Sequence, residues 1–428
     1  MKVTLVVVLL LTCFLRLQSQ SSTPMVSLES PIRFEVEVNT AYPDYISTPV
    51  LEKDWGVLIL PSQYSVNGKP VPLVIGCHGG GGTVNSSGSQ METYEMYMYF
   101  IYQGYAVLDM AGMPESFSKR KKIDHNRTVG SYIALRSYEE GYKFAIKNYN
   151  IDSTGCYVTG SSNGGLIASN IALHSRVIPV RAQGGMSPLL SIKENAWNLG
   201  LGANSGGEFY KLQNRANIIR IYQMKDVRNI TELLNANYEK EKVGDYDPLE
   251  YVRTKITKIN QYPCPVKFWH PVNDTLVDLN YTKEYINIVR ESGGYAELEE
   301  MPDGIHTPEY FGPNLAQFKY SGRKWNLKQS VYELGEWFRT FSKVDSGNNE
   351  MKEKLSGFVY PTNSKDHIFI NVIGEYSEDI EIYNISGQLI LKVDNIIQNQ
   401  KIDVSTLVKG SYIIKLKNKN VFSRFNKI

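Results

Sequence analysis

Ser162 has the sequence surroundings of a catalytic nucleophile. It is the central residue of Gly160-Ser161-Ser162-Asn163-Gly164, and the apolar run from Cys156 to Gly160 predicts a buried strand leading into it. A Gly-x-Ser-x-Gly turn places the serine hydroxyl at a sharp strand-to-helix corner, where glycine avoids a Cβ clash. The same spacing also occurs in ordinary glycine-rich loops, so the motif alone leaves both interpretations open.

A serine hydroxyl needs a base to take its proton and a carboxylate to orient that base. Asp274 follows the predicted strand that begins near Phe268, at the strand end where catalytic groups gather in open α/β sheets. The commoner use of an aspartate at such a place is to cap a turn or a helix. Asp278 is the competing acid, but it lies further into the next segment, and we expect it to point elsewhere.

His306 is the candidate base, on a loop that follows the last predicted sheet strand. With Gly304 close by, we expect this histidine to be exposed and mobile enough to reach across the strand ends. The other histidines precede the serine, lie on the helix after it, precede the acid in its own loop, or belong to the C-terminal tail. The resulting order of serine, acid and histidine is the one that this kind of sheet uses.

A glycine-rich turn supplies donors for a developing oxyanion. His78 and four glycines, Gly79 to Gly82, follow the buried strand Val71 to Cys77, and the amide of Asn163 would be a second donor. Each such donor is typically worth about 2.7–4 kcal/mol. A glycine run could also cradle phosphate, but no Gly-Lys-Ser/Thr follows, which disfavours a Walker-type loop. Together the four elements predict a serine hydrolase.

Strands and helices alternate around these motifs, which predicts an α/β fold with a doubly wound, mainly parallel sheet. Residues 187–258 break the rhythm and predict a helical insertion over the sheet. The insertion contains Trp197, Phe209 and Tyr210, which could contact substrate or simply form core.

The two ends of the chain differ from the middle. Residues 1–20 have the charged, apolar and polar order of a secretory signal, with lipidation at Cys13 as a minor alternative. At the other end, 344–356 is a polar linker, and the alternating segments of 357–428 predict a small antiparallel β-sandwich.

Composition excludes several classes of function. The net charge of +2 gives no reason to expect nucleic acid or an anionic membrane as partner, and we expect no transmembrane segment after signal removal. No Cys-x-x-Cys, His-Glu-x-x-His or EF-hand pattern occurs, so we expect neither a metal nor another cofactor. The remaining cysteines, Cys77, Cys156 and Cys264, lie in or beside apolar runs and predict buried free thiols.

The motifs of residues 55–343 resemble the α/β-hydrolase superfamily, specifically its secreted esterase and prolyl-oligopeptidase-like branches. The resemblance implies a catalytic domain over 21–343, with Ser162 as nucleophile, His306 as general base then acid, and Asp274 as orienting acid. It also implies Gly79, Gly80 and Asn163 as oxyanion contributors. Asn163 departs from the acidic, Gln, Met or Tyr residue of many members, which alters the polarity of the pocket and leaves the backbone amide unchanged.

The tail resembles the C-terminal sorting domain of the type IX secretion system of Bacteroidetes. The similarity lies in Ile382 to Gln388 and in Ile402 to Lys415. The family usually starts with Pro-Asn-Pro, and this chain has Pro361-Thr362-Asn363 there instead. It implies the secretion machinery as a partner and a secreted or cell-surface location. The alternative is an accessory sugar-binding sandwich.

Ester and amide hydrolysis use the same triad, so the substrate class needs other signals. Too few residues precede His78 for the propeller of the oligopeptidases, and we expect none. We favour a carboxylic ester hydrolase acting on small-molecule or oligosaccharide esters, such as acetyl or feruloyl groups on polysaccharides. A small secreted peptidase and a non-catalytic surface binding protein on the same scaffold are the alternatives.

Overall fold

The computed structural model describes most of the chain between residues 31 and 341 and most of the tail. The described residues are 31–42, 48–198, 207–302, 304–306, 314–320, 322–341, 359–360, 363–370, 378–384, 388–396, 400–417 and 421–428. The predicted signal peptide (1–20) and linker (344–356) lie outside the described residues.

An eight-stranded sheet organises residues 31–341. Its strands are β1 (Ile32–Asn39), β2 (Leu51–Ile59), β3 (Leu73–Cys77), β4 (Ala106–Met110), β5 (Cys156–Ser162), β6 (Val180–Pro188), β7 (Val266–Pro271) and β8 (Ala296–Met301). The spatial order is β1-β2-β4-β3-β5-β6-β7-β8. Strand β2 runs antiparallel to β1 and β4, and every other pair is parallel, as the alternating sequence pattern predicts.

Burial explains the difference between central and edge strands. All five residues of β3 and of β4 are buried, as expected for parallel strands covered on both faces. Strand β1, at the antiparallel edge, alternates between more and less exposed residues. Its sequence, with Phe34 buried and Glu35 exposed, produces that alternation directly.

Helices cover both faces of the sheet, which confirms the doubly wound α/β architecture. They are α1 (Glu95–Tyr102), α2 (Glu115–Lys121), α3 (Tyr132–Asn148), α4 (Asn163–His174), α5 (Ile192–Trp197), α6 (Gly207–Ile221), α7 (Ile230–Leu234), α8 (Lys240–Val243), α9 (Pro248–Lys255), α10 (Leu279–Glu291) and α11 (Gln329–Arg339). Helices α3, α4, α9 and α10 pack on one face, and α1 and α11 on the other. Single 3₁₀ turns occupy Gln90–Thr93 and Gly244–Tyr246.

Side-chain caps set where two helices begin. Ser89 and Glu92 form a capping box over a separate 3₁₀ turn, and α1 begins after that turn at Glu95. Helix α3 begins at Tyr132, where the Ser131 side chain caps the first turn by accepting from the amide of Ala134.

The predicted insertion, 187–258, overlaps two elements of the sheet layers. Strand β6 continues to Pro188, and α9 contributes Leu249 and Val252 to the core on the sheet face. Alternation alone did not reveal β6, whose glycine-rich sequence resembles a loop. A hairpin of β9 (Asn314–Tyr320) and β10 (Arg323–Lys328), which packs with α1 and α11, was also missed.

The tail forms two small sheets. One contains β11 (Val359–Tyr360), β13 (His367–Ile370) and β16 (Gln400–Asp403); the other contains β12 (Asn363–Ser364), β14 (Glu378–Asn384), β15 (Leu389–Ile396), β17 (Gly410–Leu416) and β18 (Val421–Lys427). All described pairs are antiparallel except the two-residue pair of β12 with β18. Isoleucines from both sheets share one core, as the alternating pattern predicts.

Candidate active site

Ser162 lies at a strained corner between β5 and α4. Its backbone has φ 53° and ψ −125°, a conformation that L-residues rarely adopt. A methyl group on Gly160 would lie 2.3 Å from the carbonyl oxygen of Gly164, and one on Gly164 would lie 2.0 Å from that of Cys77. The two glycines of the motif are therefore required by close backbone contacts, and Ser162 itself carries the left-handed φ.

One imidazole joins the hydroxyl to a carboxylate. The Nε2 atom of His306 lies 3.0 Å from Ser162 Oγ, and its Nδ1 atom lies 2.9 Å from Asp274 Oδ2. The three residues are far apart in the sequence and meet beyond the carboxyl ends of β5, β7 and β8. The His306 side chain is only 9% exposed, so the expectation of an exposed loop histidine is wrong.

Asp274 accepts hydrogen bonds at both oxygens. Its Oδ1 atom accepts from the amides of Leu276 and Val277, each at 2.9 Å, and its Oδ2 atom faces His306 and His270. Burial by itself would raise the pKa of this carboxyl, but the hydrogen bonds from the two histidines outweigh it and hold the pKa well below its ordinary value. The side chain is therefore a carboxylate throughout the neutral range.

His270 is a contact of the acid that the sequence pattern did not reveal. Its Nε2 atom lies 3.3 Å from Asp274 Oδ2 and 3.3 Å from the carbonyl oxygen of Val277, and its Nδ1 atom lies 2.9 Å from Thr282 Oγ1. Two acceptors at Nε2 place the proton there, which leaves Nδ1 to accept from the threonine. A four-residue spacing brings side chains together on a helix, but His270 lies on β7 and Asp274 in the turn after it, so the sequence offered no local signal for this contact.

Asp278, the competing acid, has a different position. It is the N-cap of α10, where its carboxylate accepts from the amide of Asn280 at 2.9 Å. A carboxylate at a helix N-terminus satisfies free amides and complements the helix dipole. The structure thus brings Asp274, and not Asp278, to His306.

The glycine turn after β3 leaves two amides beside the serine. Gly81 donates to the carbonyl of Asn126 and Gly82 to that of Gly79, each at 3.0 Å, whereas no backbone hydrogen bond from Gly79 or Gly80 is found among the described residues. A methyl group on Gly79 would lie 3.8 Å from Ser162 Cβ. Asn163, the first residue of α4, adds an amide that has no intrahelical acceptor.

A buried ion pair lies beneath this turn. His78 Nδ1 is 3.0 Å from Asp109 Oδ1, which also accepts from the hydroxyl of Tyr138 at 2.6 Å. Burial disfavours the charged imidazole, but the Asp109 carboxylate outweighs it and raises the pKa of His78. The pair fixes the position of His78, the first residue of the turn. The sequence did not predict this role for Asp109, which lies inside the apolar strand β4.

Free thiols and metal-binding clusters are the other kinds of reactive group that could carry chemistry among the described residues. Cys77, Cys156 and Cys264 are buried free thiols, as predicted, and burial raises the pKa of each. Across the described part of the chain, no three His, Cys, Asp or Glu side chains are grouped to hold a metal ion. No described helix has the length and apolar character needed to cross a membrane.

The tail matches a known family. Residues 358–428 match the secretion system C-terminal sorting domain. This domain directs the protein through the type IX secretion system to the cell surface or the extracellular space. Comparison with curated protein sequences finds no match.

Solved structures with similar folds include peptidases and a sugar hydrolase. An acylaminoacyl peptidase from Pyrococcus horikoshii is 16% identical, with a TM-score of 0.47 over 76% of this chain and 44% of the peptidase. A putative dipeptidyl aminopeptidase IV from Bacteroides ovatus is 13% identical, with a TM-score of 0.43 over 73% of this chain and 35% of that one. A sugar hydrolase from Lactococcus lactis is 17% identical, with a TM-score of 0.38 over 64% of this chain and 84% of the hydrolase. The chain thus spans less than half the length of the two peptidases.

The fold is that of the α/β-hydrolases. Two features define this fold here. Within the run from β2 to β8, only β2 is antiparallel to its neighbour, and a strained serine lies between β5 and α4.

Proposed function

We propose that this protein is a secreted serine hydrolase that cleaves carboxylic esters through an acyl-enzyme. The observation that carries the proposal is the position of one imidazole, 3.0 Å from a serine hydroxyl at one nitrogen and 2.9 Å from a buried carboxylate at the other. Such an arrangement removes the proton from a hydroxyl that is otherwise a weak nucleophile at neutral pH.

In the first half-reaction, Ser162 Oγ attacks the ester carbonyl while His306 Nε2 takes its proton. The charge that develops on the carbonyl oxygen is held by the amide of Asn163 and by that of Gly79 or Gly80, for which no backbone acceptor is found in the described part of the chain. Asp274 keeps the imidazole in the tautomer that presents an unprotonated Nε2 and stabilises the imidazolium that follows. His306 then protonates the departing alcohol, which leaves an acyl group on Ser162.

In the second half-reaction, a water molecule replaces the alcohol. His306 removes a proton from the water, the acyl carbon is attacked again, and the same amides hold the oxyanion. Collapse of this intermediate returns the proton to Ser162 and releases the acid. Atoms balance without any cofactor, because the ester and water are the only reactants.

Two observations favour ester substrates: the extracellular destination of the protein and the exposed aromatic side chains of the insertion. Export to the cell surface gives access to extracellular polymers, and Phe209 and Tyr210 on α6 are 61% and 44% exposed. Trp197, in contrast, is partly buried and donates its indole N–H to the carbonyl of Ala236, which is a structural use. We therefore expect acetyl or feruloyl oligosaccharides to contact the pair Phe209 and Tyr210.

The test compares an aryl ester of acetic acid with aryl amides of amino acids. We expect turnover of 4-nitrophenyl acetate, little turnover of aminoacyl 4-nitroanilides, and loss of all turnover in Ser162→Ala with an unchanged thermal unfolding temperature. Preference for the anilides would favour a small peptidase. Absence of turnover on both, and on acetylated and feruloylated oligosaccharides, would favour a non-catalytic binding protein on this scaffold.

A further inference from the structure

A buried arginine lies beside the proposed oxyanion site. Arg127 is 6% exposed. A methyl group on Gly80 would lie 3.0 Å from one of its terminal guanidinium nitrogens and 2.4 Å from Asn163 Nδ2. A methyl group on the preceding residue, Gly79, would lie 3.8 Å from Ser162 Cβ. The guanidinium therefore lies beside the glycine turn whose amides are proposed to face the reacting carbonyl.

The charge of Arg127 is only partly compensated. Asp124 Oδ2 lies 3.3 Å from Nε, and the Asp124 side chain is 35% exposed. This ion-pair contact lacks hydrogen-bond geometry, so among the described residues Arg127 Nε has no hydrogen-bond acceptor, and the nearby buried Asn163 Oδ1 has no hydrogen-bond partner either. Burial opposes the charged form and lowers the pKa of Arg127. A buried cation with free donors is costly unless a ligand completes its hydrogen bonds.

The aromatic ring of Tyr210 covers one face of the Arg127 guanidinium. The ring of Tyr210 lies 4.6 Å from Arg127 Cζ, and Phe209 contacts Tyr210 edge-on with 5.8 Å between ring centroids. An aromatic ring on one face restricts a guanidinium, whose nitrogens form a rigid planar fork of donors. A planar fork of this kind matches the two oxygens of a carboxylate.

We propose that Arg127 is a specificity-determining residue that binds a carboxylate of the substrate close to the scissile carbonyl. The inference deepens the proposed function and depends on it. The guanidinium's terminal nitrogens donate to the carboxylate, while Tyr210 holds the guanidinium in the orientation that presents them. The preferred esters therefore carry a negative charge in either the acyl group or the alcohol.

Two matched pairs of esters distinguish these sources of the carboxylate. In the first pair, 4-nitrophenyl hydrogen glutarate is compared with 4-nitrophenyl valerate, so the charge is in the acyl group. In the second, 4-acetoxybenzoate is compared with its methyl ester, so the charge is in the leaving group. After subtraction of spontaneous hydrolysis, we expect a kcat/KM preference for the anionic member of one pair, and Arg127→Gln to reduce that preference about ten- to a hundred-fold.

Arg228→Gln is the matched control for loss of one positive charge. Arg228 is 77% exposed and pairs with Glu232 on the surface, so its substitution is expected to leave the preference within about two-fold. Equal effects of the two substitutions, or no preference for the anion in either pair, would overturn the inference. Arg127→Lys keeps the charge without the fork and is expected to retain an intermediate preference.

A mutation-free measurement covers the case in which Arg127→Gln does not fold. We expect 3-carboxyphenylboronic acid to inhibit the unmodified protein at least about ten-fold more strongly than its methyl ester, and equal inhibition would contradict the inference. Hydrolysis of the neutral esters without an anionic preference would reject this inference and leave the proposed function standing. Failure to hydrolyse all four esters, together with no inhibition by either boronic acid, would reject the proposed function itself.

Discussion

Replacing Asp274 with asparagine tests the assignment of the acid most sharply. The amide oxygen of Asp274→Asn can still accept from the amides of Leu276 and Val277, so the turn is expected to survive. The new NH₂ group takes the place of Oδ2, where His306 and His270 both donate at present. His306 must then accept at Nδ1, which moves its proton to Nε2, and that nitrogen can no longer take the proton of Ser162.

The expected loss in kcat for Asp274→Asn is about 10³- to 10⁴-fold, the effect of the wrong tautomer in serine hydrolases. It corresponds to about 4–5.5 kcal/mol of lost transition-state stabilisation, at 1.36 kcal/mol for each factor of ten. The assay is hydrolysis of 4-nitrophenyl acetate at saturating substrate, with thermal unfolding to show that the variant is folded. The fold is expected to be unchanged.

Asp278→Asn is the matched control, four residues further along the chain. Asparagine caps helices about as well as aspartate, so the N-cap bond to Asn280 is retained and kcat is expected to change by less than about two-fold. Equal losses in the two variants would refute the assignment of Asp274. A variant Asp274→Asn that keeps more than a tenth of the activity would refute the tautomer argument.

Three further predictions concern packing, pH and export. Gly164→Ala is expected to lower the free energy of unfolding by about 3 kcal/mol or more, because its methyl group would lie 2.0 Å from a backbone carbonyl oxygen. Gly88→Ala is the control: a methyl group there meets open space, so the free energy of unfolding is expected to change little. Urea unfolding measures both variants. Burial raises the pKa of Asp247 from 3.8 to about 6, so the folded state binds the proton more tightly than the unfolded state. The protein is therefore expected to lose about 2 kcal/mol of stability as pH rises from 4 to 7; Asp247→Asn is expected to flatten that decline, and equal slopes would contradict it. Deletion of 358–428 is expected to abolish release of activity into the medium, and unchanged secretion in cell fractionation would contradict it.

The sheet and the nucleophile turn could be predicted from the sequence because their signals are local. Buried strands such as β3 and β4 are short apolar runs, and Gly160 and Gly164 mark the corner around Ser162 by their lack of side chains. The chain order of serine, acid and histidine selected three residues that the structure brings within hydrogen-bond distance. Their catalytic roles remain the prediction that activity measurements must test.

Features that depend on packing could not be predicted from the sequence. Strand β6 has a polar, glycine-containing sequence, and its sheet position is decided by the strands on either side. The contacts of His270 with Asp274 and of Asp109 with His78 join elements whose relative positions no local pattern specifies. Arg127 has the sequence context of a surface loop residue, and its burial depends on the glycine turn and on Tyr210 of α6.

Covalent labelling of Ser162 is the most direct test of the proposed chemistry. We expect a fluorophosphonate to form one adduct on the peptide that contains Ser162, to form none in Ser162→Ala, and to react far more slowly with His306→Gln because the hydroxyl then lacks its base. A folded protein that forms no adduct, or an adduct on a different residue with Ser162 unmodified, would contradict the account.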